Sequence, residues 1–113
     1  MNQELSLEQR WHLLTLMLQE RFEKKPDMEA ILYLIGINEY RGRMPKYKFS
    51  KEEKQDLMHI AVCTVLSLVD YYEFEYYDQD GWPHFKELET VPLTTLKEQE
   101  DLLKACVLEY FEM

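Results

Sequence analysis

At 113 residues, with 46% apolar and 31% charged side chains and only three Gly and four Pro, the chain has the size and composition of one globular domain. This excludes a disordered or fibrous chain and leaves no length for two independent cores. Thirteen Lys and Arg against 22 Asp and Glu give a formal charge of -9, a field that repels phosphate backbones and anionic lipid and so disfavours nucleic acid as a partner. The opening Met1 to Leu5 has no basic stretch leading into an apolar one, and no run of about 18 apolar residues occurs, so a cytoplasmic protein without a membrane span is expected.

Ser6 followed by Gln9 is a capping-box pattern, and Leu7, Trp11, Leu14, Leu18 and Phe22 then recur at helical spacing as one apolar stripe. Glu23-Lys24-Lys25-Pro26 ends that helix, because the residue before a proline avoids helical angles. Asp27 caps a second helix with Met28, Ile31, Leu32 and Ile35 facing inward; it either stops at Gly36 or continues to Gly42. Arg41 to Phe49, with Gly42 and Pro45, reads as a loop.

Ser50-Lys51-Glu52-Glu53 opens the most hydrophobic helix, Leu57 to Val69, which leaves only Asp56, His59, Cys63, Ser67 and Asp70 as a polar or small stripe. Such a helix is central and touches neighbours on most sides. From Tyr71 to Glu89 the period changes to two: Tyr72, Phe74 and Tyr76 alternate with Glu73 and Glu75, which predicts a strand. Asp80-Gly81 predicts a two-residue hairpin turn, placing Glu75 opposite Lys86 and Tyr76 opposite Phe85, with Pro83 confined to an edge or non-bonded position. Thr95 and Glu98 form a third capping pattern, and Leu96, Leu103, Val107 and Tyr110 continue as the stripe of a last helix. The fold class expected is mainly α (α+β): one antiparallel, four-helix bundle-like domain over residues 1-113, with a β-hairpin between helices three and four.

No nucleotide-loop, nucleophile-elbow or zinc-helix motif is present, which points away from the common enzyme classes. His59 and Cys63 share a helical face, the spacing of a base and a thiol nucleophile, but the Ile60 to Leu66 surroundings favour a buried, inert thiol. Cys63 and Cys106 both read as reduced core cysteines, since neither CxxC spacing nor a secretory signal is present. Asp56 with His59 is half of a metal site, the basis for a small metal-dependent enzyme as an alternative, yet no Glu-x-x-His accompanies it and neither metal nor cofactor is expected. His12, with Glu8, Thr15 and Gln19, lies on the polar face of the first helix. Asp78-Gln79-Asp80-Gly81 with Glu87 matches part of a calcium loop, but Tyr76 occupies the first ligand position, so an Asp-rich turn is the better reading.

Arg41, Arg43, Lys46, Lys48, Lys51 and Lys54 against Glu52 and Glu53 make one segment +4 and leave the remainder at -13. With Tyr40, Tyr47 and Phe49 interleaved, that segment offers an anionic-ligand or single-stranded nucleic-acid site, with Arg41, Arg43, Lys46 and Lys48 as its contacts. Pairing with an acidic surface of the same or a neighbouring protomer is the alternative that the overall charge favours.

The stretches Leu34-Ile35-Gly36, Asp56-Leu57-Met58-His59-Ile60-Ala61-Val62-Cys63 and Asp78-Gln79-Asp80-Gly81-Trp82-Pro83-His84 resemble segments of an uncharacterised family of small acidic bacterial proteins. The resemblance covers roughly residues 32 to 111. It implies a bacterial cytoplasmic protein and brings no functional residue with it.

Seven of the fifteen aromatic residues fall between Tyr71 and Phe85. In a strand Tyr72, Phe74 and Tyr76 pack on the helices while Tyr71 and Tyr77 point away, so both faces of the hairpin carry aromatics and the bundle covers one. The function expected is a non-enzymatic protein-protein interaction or adaptor module, in which Tyr71, Tyr77, Trp82 and His84 meet a protein partner or a second copy of the chain. A small second core under the hairpin is the bland alternative.

Overall fold

Each of the four helices among the described residues begins at a side chain that takes up an orphan amide of the first turn. In the computed structural model, which describes residues 5–46, 48–92 and 95–113, Ser6 and Ser50 open α1 (Leu7–Phe22) and α3 (Lys51–Ser67) with full capping boxes. Readings that fall on residues 1–4 or on Tyr47 lie outside the described residues. Asp27 caps α2 (Met28–Glu39) by accepting from the Ala30 amide, and Thr95 caps α4 (Leu96–Tyr110) by accepting from that of Glu98. The strands β1 (Tyr72–Tyr77) and β2 (Pro83–Glu87) form an antiparallel hairpin between α3 and α4. The chain is thus mainly α with one hairpin, in the element order that the apolar periodicities predict.

The central helix is α3, which packs on α2, on α4 and on both strands, while α1 packs on α4. Leu14, Ile31, Ile35, Val65, Val107 and Leu108 meet in the core with no exposed surface. Gly36 lies inside α2, where a Cβ would collide with the Leu57 carbonyl; the missing side chain lets α2 and α3 approach at backbone distance. Lys104 ties α1 to α4, its ammonium 5.5 Å from the Trp11 ring centre and 3.4 Å from the Glu8 carboxylate.

Some expectations fail at the ends and faces of helices. Thr15 is buried instead of solvated, because its hydroxyl donates to the His12 carbonyl at 2.8 Å and so needs no water. Leu96 stands 84% exposed, since it is the first residue of α4 and projects beyond the neighbours that cover Cys106, Val107 and Leu108. α3 stops at Ser67, and Leu68 and Val69 are exposed in the turn that follows. There Asp70 adopts the left-handed conformation at φ 66 and Tyr71 donates its amide back to the Leu66 carbonyl, which re-aims the chain into β1.

Candidate functional site

The hairpin turn is organised by one carboxylate. Asp78 Oδ1 accepts from the amides of Asp80 at 2.9 Å and Trp82 at 3.0 Å, and its own amide donates to the Trp82 carbonyl at 3.0 Å. The result is a loop of residues 78–82 with Gly81 at φ 87, and not the two-residue turn that Asp80-Gly81 predicts. The register moves accordingly. Glu73, not Glu75, faces Lys86; Phe74, not Tyr76, faces Phe85; and Tyr76 faces His84. An irregularity at Glu75 breaks the strict alternation and brings Tyr77 beside Phe74, their ring centres 4.9 Å apart. Pro83 pairs with Tyr77 at the first position of β2, where its missing N–H is tolerated.

The same turn fixes His84. Its Nε2 lies 2.8 Å from Asp78 Oδ2, and its ring stacks on Tyr76 at 4.7 Å with an interplanar angle of 4°. The bond to His84, together with the two backbone amides, holds the Asp78 carboxyl below its ordinary value. This pair is absent from the sequence reading. The signal for it was the spacing of six between Asp78 and His84, which becomes a contact only across a closed turn.

The four residues expected to meet a partner separate into two groups. Tyr77 and His84 are exposed, while Tyr71 packs against the core, because its amide and carbonyl are committed to Leu66 and Leu88 at the junction of helix and hairpin. That overturns the outward placement of Tyr71. Trp82 is half-buried on Tyr40, ring centres 4.8 Å apart, and Tyr40 in turn packs on Phe49. Phe74 and Tyr76, expected against the helices, instead stand 44% and 53% exposed.

Between α3 and the hairpin lies a cleft of about 450 Å³, with Asp56, His59 and Cys63 on one side and Tyr72, Asp78, Trp82, His84 and Phe85 among the residues on the other. Cys63 is 3% exposed and its Sγ lies 3.7 Å from His59 Nε2. Burial, reinforced by the Glu87 charge, pushes this thiol up, which keeps it protonated and a poor nucleophile. Cys106 is likewise a free, buried thiol pushed up by burial and by Glu109. Among the described residues no group of three or more His, Cys, Asp or Glu is placed to hold a metal ion. The Asp78 to Gly81 segment forms the Asp-rich turn described above.

The basic segment reaches the other side of the turn. Arg41 donates its amide to the Gly81 carbonyl at 2.9 Å and its guanidinium to the Asn38 carbonyl at 2.6 Å, with Cζ 5.7 Å from the Tyr77 ring centre. Arg41 and Arg43 share an open bowl of about 850 Å³ with Glu53, Asp78 and Asp80, two positive groups against three negative, so the bowl itself has no positive field. Arg43, Lys46 and Lys48 are exposed. Among the described residues no helix is long and apolar enough to cross a membrane. No protein-family model, curated protein or solved structure matches the chain.

Proposed function

We propose that the chain is a non-enzymatic interaction module that binds a protein partner in the cytoplasm through the outer surface of the hairpin. The observation that carries this reading is the exposure of three consecutive-region aromatics of β1, Phe74 at 44%, Tyr76 at 53% and Tyr77 at 40%, on a sheet of only two strands. Phe74 and Tyr77 stand ring to ring, and large aromatics left in water are the anchors that protein interfaces use. Leu88, just beyond β2, is a further exposed apolar residue, at 45%. His84 stacks on the exposed Tyr76 and widens that ring surface, and the Asp78 contact holds it in place. The partner-binding residues are therefore Phe74, Tyr76, Tyr77 and His84, with Trp82 and Tyr71 anchoring the hairpin from behind.

The double variant Phe74→Ser with Tyr77→Ser tests the reading. Exposed positions tolerate such changes within about 0.5 kcal/mol, so the variant is expected to melt close to the unaltered chain and to lose its partner in co-purification from the native cell, or its dimer in sedimentation. A variant that loses several kcal/mol of stability, about the cost of truncating core aromatics, while its association is unchanged overturns it in favour of a second core.

A further inference from the structure

The hairpin surface is acidic as well as aromatic. Asp70, Glu73, Glu75, Asp78, Asp80, Glu87 and Glu89 stand against Lys86 alone between residues 70 and 89, seven negative groups to one positive, or -6. The cleft beneath it continues that field: Asp56 and Asp78 line it, and no Lys or Arg is among its lining residues. Asp78 is occupied by His84 and two amides, but the Asp56 carboxylate is exposed and forms no ion pair among the described residues. The walls between these carboxylates are the rings of Tyr72, Trp82 and Phe85, so the cleft combines negative charge with aromatic faces, the pairing that recognises a desolvated cation. It opens onto the proposed interface without a break, because the Phe85 ring meets Phe74 edge to face at 5.9 Å.

We propose that this cleft receives a Lys or Arg side chain of a basic protein segment whose apolar residues lie on Phe74 and Tyr77. The proposal rests on the hairpin as interaction surface and names the chemistry of the partner. A second copy meeting hairpin to hairpin sets -6 against -6, which opposes association. The chain's own basic segment is already engaged at its start, where Tyr40 and Arg41 dock on Trp82, Gly81 and Tyr77. That internal contact also displays the recognition mode in miniature, a guanidinium over an exposed tyrosine of this hairpin.

The test uses the full chain and two synthetic peptides, one of alternating Arg and Leu and one with citrulline in place of every Arg. The arginine peptide is expected to bind, to shift the amide and ring resonances of Trp82 and His84, and to weaken by about tenfold or more as salt is raised, as charge-steered contacts do. Asp56→Asn, a substitution at an exposed site, is expected to keep the melting temperature and to weaken the peptide roughly tenfold by removing one charge-assisted contact. Equal binding of the citrulline peptide, indifference to Asp56→Asn, or spermidine binding the cleft as tightly as the peptide overturns the inference. If native association is lost on Phe74→Ser with Tyr77→Ser but ignores salt and Asp56→Asn, only this inference fails. If association survives the double variant, the interaction reading fails with it.

Discussion

Tyr110 carries its hydroxyl into the half-buried seam between α4 and α2 and donates to the Glu39 carboxylate at 2.7 Å. Burial, then the bond to Glu39 and its charge, raise the phenol well above its ordinary value of 10.0. Folding thus strengthens the preference for the neutral form. A group raised on folding contributes stability that is complete below its unfolded value and is lost as pH climbs from there toward the folded value. Alkaline titration from about pH 10 upward should therefore destabilise the protein through this residue. Tyr110→Phe is expected to cost about 1–2 kcal/mol at neutral pH, the net worth of a part-buried hydrogen bond to a charged group, and to flatten the alkaline limb of the stability curve. Urea midpoints measured across the alkaline range check both: an unchanged alkaline limb in the variant contradicts the assignment.

At the scale of elements, the contact of α2 with α3 turns on one missing side chain. Ala is favoured over Gly by about 1 kcal/mol inside an exposed helix, so Gly36→Ala gains from propensity alone. Against that gain stands a Cβ driven into the Leu57 carbonyl, a backbone atom that moves only if the two helices part. Overpacking of that kind costs about 1–3 kcal/mol and here opposes a smaller gain, so chemical denaturation of Gly36→Ala should show net destabilisation. A stabilised variant means that the helices are not held at this distance. The contrast between helices and hairpin also explains what was legible beforehand. Ser6, Asp27, Ser50 and Thr95 cap their helices through neighbours three residues away, so helix starts were readable from short spacings. The hairpin's existence was readable from Tyr72, Phe74 and Tyr76, but its register was not, because the Asp78 carboxylate closes a longer loop than Asp80-Gly81 announces. The exposure of Phe74 and Tyr76 depends on the irregularity at Glu75 and on how the hairpin sits against α3, which no periodicity within β1 encodes. His59 and Cys63 were correctly placed side by side by helical spacing, while the opposite wall of their cleft, including His84 on Asp78, needed the fold.

At the scale of the whole molecule, the two thiols report on different layers of the structure. Cys106 belongs to the core cluster built from all four helices, so it is reached only when the helices separate. Cys63, although 3% exposed, lies outside that cluster and lines the cleft, covered on one side by Tyr72 and the hairpin. A two-stranded sheet is marginal by itself and is held here through α3 and the contacts of Trp82 and Gly81 with Tyr40 and Arg41 just after α2. Detachment of the hairpin exposes less surface than global unfolding and so has a lower free energy and a shallower dependence on denaturant. Both thiols are raised by burial, so neither is an activated thiolate. Under native conditions, mass-spectrometric labelling with a thiol reagent is expected to modify Cys63 at least about tenfold faster than Cys106, an opening free energy lower by about 1.4 kcal/mol or more. Low denaturant should accelerate Cys106 steeply and Cys63 little. Equal rates with equal denaturant slopes mean that hairpin and helices open as one cooperative unit, and the hairpin is then too firmly joined to the bundle to move independently when a partner binds.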